Sequence, residues 1–310
     1  MSTGHKYYKE LEKPIIFIGN PRSGTSVISE IVMRHRHIGF ASQFQNRYPN
    51  NRNLNYIRRL IDNRFWRIHG QKKQLNKVSF INRIVFRTSE NYGMWREITE
   101  SEIDFSRGFL LDTGASDESV AFLRSYFRDI VRKQGKRRLA FKTTGPSRIE
   151  FLLSIFPDAQ FVRIHRKPIP TVSSLLKSSF WEPLGEKQLW WTGAYSDEEK
   201  HWAQANQNDP VAMTAFQIKK VADVTDYEID KMKADVFDVH YQDFVQDSED
   251  TIRKILEYTG LPEDKGCMSY FIKNKIYNRN KKDEEYFEAK DLETIKFINS
   301  KENPYLASHS

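Results

Sequence analysis

At 310 residues the chain is long enough for one large α/β domain, or two small ones, with a well-buried core. A composition of 39% apolar and 29% charged residues excludes a disordered chain, and the single cysteine, Cys267, excludes an intramolecular disulfide framework or a cysteine-built zinc cluster. Lysine and arginine outnumber aspartate and glutamate by 49 to 41, and the net charge of +8 favours anionic partners: nucleotides, phosphorylated or sulfated acceptors, or an acidic membrane surface.

Residues 1–13 lack the apolar centre of a secretory signal and no run approaches the roughly 18 apolar residues of a membrane span, so a soluble, cytoplasmic protein is expected. The first element is a strand over 14–19, where Ile15, Ile16, Phe17 and Ile18 run unbroken to a glycine, as in a strand covered on both faces. After the turn Asn20-Pro21-Arg22-Ser23-Gly24, Val27, Ile28, Ile31 and Val32 recur with helical spacing. Residues 42–135 are less regular, with helical patterns at 55–67, 75–86 and 117–134. The βα pattern then returns: a strand at 138–142, a helix at 147–156 capped by Ser147, a strand at 160–165 and a helix at 168–180 with proline in its first turn. A tryptophan-rich loop is expected at 181–195, helices at 197–206 and 211–232, a strand at 235–241, and a helix at 248–259 ended by Gly260 and Pro262. No repeat or linker interrupts this. The expectation is a single α/β domain over 1–310, with a central, mostly parallel sheet flanked by helices. Its core covers about 14–282, a helical insertion about 43–135 and a C-terminal helical tail about 283–310.

The segment Gly19-Asn20-Pro21-Arg22-Ser23-Gly24-Thr25-Ser26 has the frame of a nucleotide phosphate loop. Amides at the helix N-terminus point into the turn, the helix dipole favours an anion, and glycines allow close backbone approach. Nucleoside triphosphate loops carry a lysine where this chain has Thr25. That lysine reaches the β and γ phosphates, so its absence disfavours ATP or GTP chemistry. The basic residue sits instead at Arg22, inside the turn, where it suits a shorter diphosphate-like group.

A second segment, Phe161-Val162-Arg163-Ile164-His165-Arg166, leads from a strand into a helix bearing Ser174, eight residues after Arg166. Guanidinium and hydroxyl together can grip one phosphate. The pair of motifs, PRSGTS and FPDAQFVRIHRKPIPTVSSLL, resembles the sulfotransferases that use 3′-phosphoadenosine 5′-phosphosulfate (PAPS). The resemblance runs in patches from about residue 14 to 282, and GFASQFQNRYP and SENYGMWR look like a bacterial-type branch with a P-loop-like fold. It implies that Arg22, Ser23, Gly24, Thr25 and Ser26 hold the 5′-phosphosulfate and that Arg166 and Ser174 hold the 3′-phosphate. Arg279, with Lys281 and Lys282, matches a late basic loop that closes over the 3′-phosphate. The segments His240-Tyr241-Gln242-Asp243-Phe244 and Gly260-Leu261-Pro262 are also similar to the family.

What the resemblance implies chemically is transfer of a sulfuryl group to a hydroxyl of a carbohydrate, lipid or small metabolite, with PAP as the second product and no metal required. Arg22, the loop amides and Lys142, which ends the strand at 138–142, are the expected stabilisers of the leaving phosphate. The base departs from the family's templates: Thr144 stands where cytosolic relatives carry a histidine, and Ser42-Gln43 where tyrosine-sulfating relatives carry a glutamate. Glu90 is the candidate, with Asp112 and Asp117 in reserve and His165 a weaker one beside Arg166. Phe180, Trp181, Trp190, Trp191, Tyr195 and Trp202 are candidates for the acceptor mouth or an adenine cap, against core packing.

Two other readings compete. A P-loop kinase is opposed by Thr25, and a non-catalytic binder of PAP or another anionic nucleotide is favoured by the missing bases. The scattered charge carries no nucleic-acid motif. Arg47, Arg52, Arg58, Arg59, Arg64 and Arg67 point to an anionic acceptor or a peripheral membrane contact, and homo-oligomerisation is left open.

Overall fold

The computed structural model describes residues 11–65, 67–69, 86–274, 276 and 285–300. Five strands form one parallel sheet: β1 (Ile15–Ile18), β2 (Ile38–Gly39), β3 (Arg138–Lys142), β4 (Gln160–His165) and β5 (Asp235–His240), in the order β2-β3-β1-β4-β5. In β1, Ile16 and Ile18 join one apolar cluster and Ile15 and Phe17 the opposite one, so the unbroken apolar run serves a strand covered on both faces. One face packs on an aromatic group in which Trp95 stacks on Phe105 with centroids 4.1 Å apart and Phe127 on Phe141 at 5.9 Å. On the other face Ile28, Ile31 and Val32 of the helix Thr25–Val32 meet Ile252 and Ile255 of the helix Ser248–Tyr258.

Several elements depart from the sequence expectation. Strand β2, two residues long, carries too short a pattern to be seen. The helices Gln43–Arg47 and Tyr92–Ile98 were not expected, and the helix expected over 55–67 is Asn55–Ile61. The helix at 147–156 is Ile149–Ile155, and Ser147 does not cap it: its hydroxyl donates to the buried Glu228, whose other carboxylate oxygen accepts from the Glu150 amide at 3.0 Å. The helix at 168–180 stops as Pro168–Leu176, and a short helix, Glu182–Gly185, follows in the expected loop. The pattern at 75–85 lies outside the described residues. The long helix Pro210–Met232 packs on Pro168–Leu176, on Ile149–Ile155 and on Ala289–Ile298 near the C-terminus. Among the described residues no helix is long and apolar enough to cross a membrane.

Candidate active site

The phosphate-type loop joins β1 to the helix Thr25–Val32. Arg22 turns the chain with φ +71°, and Gly24, the N-cap, has φ +102°, a region L-residues rarely adopt. A Cβ on Gly24 would lie 2.4 Å from Cδ2 of Tyr241, so the aromatic ring closes directly on the loop backbone. A Cβ on Gly19 would lie 2.6 Å from the Ile164 carbonyl oxygen, which fixes the loop against the end of β4. The Ser23 and Thr25 hydroxyls are 2.8 Å apart and both residues are buried, which braces the turn from within.

Side chains from three neighbouring strand ends meet over this loop. Ala140 of β3 packs on the face of the sheet that carries the helix Thr25–Val32, and strand alternation sends Lys142 to that same face. Its ammonium is fully buried and donates to Ser26 Oγ at 2.7 Å. It also pairs with Glu90 Oε1 at 3.0 Å, a carboxylate 16% exposed. Arg166, just beyond β4, donates to the Arg22 carbonyl at 2.9 Å and lies 5.1 Å from the centroid of the Tyr241 ring. Arg22 Nε donates to Ser174 Oγ at 2.9 Å, so the two sequence motifs touch across 152 residues.

Glu90 is delivered by a braced loop. Asn91, at φ +57°, donates to the Ala41 carbonyl at 2.7 Å, and the Tyr92 hydroxyl donates to the Thr144 carbonyl at 2.6 Å. The second contact ties the loop carrying Glu90 to the segment just after Lys142.

A cavity of about 370 Å³ opens here, within the range of small-molecule sites. Arg22, Gly24, Thr25, Ser26, Glu90, Arg166 and Ser174 line it, and Lys142 touches two of these residues. Thr144, Lys177, Phe180 and Tyr241 line it as well. Lys177 and Tyr241 were not assigned from sequence, although Lys177 stands three residues after Ser174 on one helix face and Tyr241 belongs to a segment already singled out.

Other candidates lie elsewhere. Arg279, Lys281 and Lys282 fall outside the described residues. Asp112 pairs with Lys231 at 2.6 Å on the surface, and Asp117 opens the helix Asp117–Lys133; neither lines the cavity. His165 Nε2 contacts Asp238 Oδ1 at 2.6 Å and its ring stacks on His240, so it braces β4 against β5 rather than facing Glu90. Trp181 and Trp191 are buried core residues, and Trp202 stacks on Phe216 at 4.4 Å. Of the aromatic residues expected at an acceptor mouth, Phe180 alone lines the cavity. The arginine cluster also divides. Arg58 is buried, donates to the Ile38 carbonyl at 3.1 Å and pairs with Asp62, and burial lowers its pKa to about 10. Arg67 bridges Asp62 and Asp264, and Arg52 pairs with Asp129.

Comparison with known proteins bears on this arrangement. The model of the sulfotransferase family matches residues 14–265, most of the chain and every strand of the sheet. The chain belongs to the sulfotransferase family. Among solved structures, sulfotransferase STF9 from Mycobacterium avium is similar with a TM-score of 0.54 at 18% identity, covering 92% of this chain and 75% of that one. Sulfotransferase STF1 from Mycobacterium tuberculosis H37Rv gives 0.46 at 15% identity (94% and 77% covered), and a sulfotransferase from Alicyclobacillus acidocaldarius 0.43 at 14% (93% and 96%). No curated protein matches the chain. An α/β sulfotransferase fold is thereby established, and with it the general class of sulfuryl transfer.

Proposed function

We propose that this sulfotransferase uses PAPS as its donor and sulfates a hydroxyl of a carbohydrate, lipid or small metabolite, releasing PAP. The observation that carries the reading is the meeting in one cavity of a helix N-terminus, Arg22 and Arg166, with Lys142 buried against the loop. Such a set suits a ligand with two separate anionic groups.

In this reading the amides and hydroxyls of Ser23, Gly24, Thr25 and Ser26 hold the 5′-phosphosulfate, and Arg166 with Ser174 holds the 3′-phosphate. The acceptor oxygen attacks sulfur as the bond from sulfur to the 5′-phosphate oxygen breaks, and PAP leaves with that bond's electrons. Arg22 and Lys142 stabilise the charge that grows on the leaving phosphate. Glu90, on the cavity wall beside Lys142, takes the acceptor's proton, a contribution of about 10²–10⁴ in rate. No step in this reading calls for a metal.

A lipid or membrane-borne acceptor gains support from the segment 47–65. Arg47, Arg59 and Arg64 are exposed there beside Ile57, Leu60 and Phe65, the last 76% exposed. Basic and apolar groups side by side suit an acidic lipid surface.

The test is calorimetric titration of the protein with PAP, and with ADP and ATP in the absence of magnesium. Micromolar binding of PAP with much weaker ADP is expected. ATP binding as well as PAP, or no PAP binding, overturns the donor assignment.

A further inference from the structure

Arg148 is a buried cation to which the transfer scheme gives no role. It is the N-cap of the helix Ile149–Ile155 and stands six residues after Lys142, the end of β3, yet none of it is exposed. At φ +56° it occupies the left-handed region that residues with a side chain seldom adopt, and its side chain makes no capping bond to its own helix. A left-handed backbone and a guanidinium withdrawn from water are two costs carried by one residue. Such costs collect where the geometry of a site depends on them.

The side chain serves the turn that leaves β3. Nη1 donates to Thr143 Oγ1 at 2.8 Å and to the Pro146 carbonyl at 2.5 Å, and Nη2 donates to the Ser106 carbonyl at 3.3 Å. The guanidinium carbon lies 4.8 Å from the centroid of the Phe105 ring and 5.9 Å from that of Tyr92, within cation–π reach of both. The planar fork of an arginine reaches a hydroxyl and two carbonyls at once. A lysine ammonium on its flexible stem cannot fix three such partners in one plane.

What this turn carries gives Arg148 its meaning. Lys142 precedes it, and Thr144 lines the cavity. Toward β1, the Thr143 amide donates to the Phe17 carbonyl at 2.9 Å and the Gly145 amide to the Gly19 carbonyl at 3.2 Å, so the turn is pinned to the start of the phosphate-type loop. On another side the Tyr92 hydroxyl accepts from the Thr144 amide at 3.3 Å and donates to its carbonyl at 2.6 Å. Tyr92 stands two residues after Glu90. Arg148 therefore touches both halves of this clamp: the turn after Lys142 through Thr143 and Pro146, and the Glu90 loop through the Tyr92 ring.

We propose that Arg148 is a positioning residue of the transfer site: with the Tyr92 ring it holds the turn after Lys142 and the Glu90 loop in one arrangement, and so keeps Glu90 beside Lys142 on the cavity wall. The inference rests on the reading of Glu90 as the base. It is tested on the full chain by PAP calorimetry and by turnover on an acceptor that the wild type sulfates in a screen. Arg148→Lys keeps the charge and loses the fork, and Tyr92→Phe keeps the ring and loses the hydroxyl. Each should lower kcat by about 10- to 100-fold, the scale of a catalytic group displaced by up to about 1 Å, and change PAP affinity by less than about twofold. In a Glu90→Gln background the same substitutions should cost less than about twofold, because the group they position is gone. Equal losses in both backgrounds, a fall in PAP affinity that matches the fall in kcat, or unchanged turnover overturns the role of Arg148 and leaves the base reading standing. A Glu90→Gln protein with wild-type turnover, or a wild type that sulfates no acceptor, removes the base reading and this inference with it. Tyr92→Phe, which leaves Arg148 in place, decides the matter if Arg148→Lys does not fold.

Discussion

Replacing Gly24 with alanine probes the loop where backbone conformation, packing and ligand binding meet. Two costs follow from the structure. At φ +102° an alanine is strained by about 1–3 kcal/mol. Its Cβ would also fall 2.4 Å from Cδ2 and 2.8 Å from Cε2 of Tyr241, and displacing a packed ring adds about 1–3 kcal/mol more. The unfolding entropy of a chain this size is about 0.65 kcal/mol/K, from about 2.1 cal/mol/K per residue, so each kcal/mol moves the midpoint by roughly 1.5 °C. Gly24→Ala should therefore lower the thermal midpoint by about 3–9 °C. Because the displaced ring also lies against Arg166, PAP affinity should fall at least about tenfold, as for a lost hydrogen bond to a charged group. The assay is differential scanning calorimetry with a PAP titration, on Gly24→Ala, Tyr241→Ala and the double variant. The smaller residue at 241 should relieve the clash and leave the backbone strain, so the double variant should be more stable than the two single losses predict. A Gly24→Ala protein with an unchanged midpoint and unchanged PAP affinity would refute the close approach of Tyr241 to the loop.

Four further outcomes are expected. Lys142→Met should cut turnover by about 10²–10³, followed as transfer of radiolabelled sulfate from PAPS to an acceptor found by screening, while Glu90→Gln should cut it by about 10²–10⁴ with PAP affinity largely retained. A Glu90→Gln rate close to wild type would leave that carboxylate as no more than a partner of Lys142. Burial raises the Glu228 pKa to about 7 from an ordinary 4.5, so the native state binds the extra proton. That contribution is complete below about pH 4.5 and is lost as pH rises through about 7, so the wild-type midpoint should decline over that window and Glu228→Gln should flatten the decline. Reversing Arg47, Arg59 and Arg64 to glutamate should abolish sedimentation with vesicles of phosphatidylcholine and phosphatidylserine. If wild-type protein does not sediment with them, the membrane contact is wrong.

How far the sequence carried depends on whether a segment's neighbours lie nearby in the chain. Strands β1, β3 and β4 were readable because burial on both faces leaves a mainly apolar run, and the loop after β1 because glycine and helix spacing follow at once. The end of the helix Pro168–Leu176 was not readable. The chain turns there because the Ser178 amide bonds the Leu175 carbonyl, and Trp181 is drawn into the core with its indole donating to Thr214 at 2.9 Å. Ser147 looked like a cap for the same reason in reverse: its partner, Glu228, is 81 residues away. The arginines at 47–67 formed one group in sequence, yet Arg58 and Arg67 serve buried aspartates while Arg59 and Arg64 face solvent.

The site itself shows what topology adds to motifs. Its cations come from the carboxyl ends of three strands: Arg22 after β1, Lys142 at the end of β3, and Arg166 after β4. The order β3-β1-β4 makes these strands neighbours, roughly 4.8 Å apart, so charges up to 144 residues apart converge within about 10 Å. Strand alternation then selects the face, since in β3 it is Ala140 and Lys142, not Phe141, that share the side of the helix Thr25–Val32. Glu90 reaches Lys142 from outside this rule, on a loop held by Asn91 and Tyr92 rather than by a strand. That difference explains why Arg22, Lys142 and Arg166 stand at strand ends that the sequence already marks, while the contact of Glu90 with Lys142 is not visible in it. Strand order brings the three cations together, and Glu90 reaches them from the region between β2 and β3.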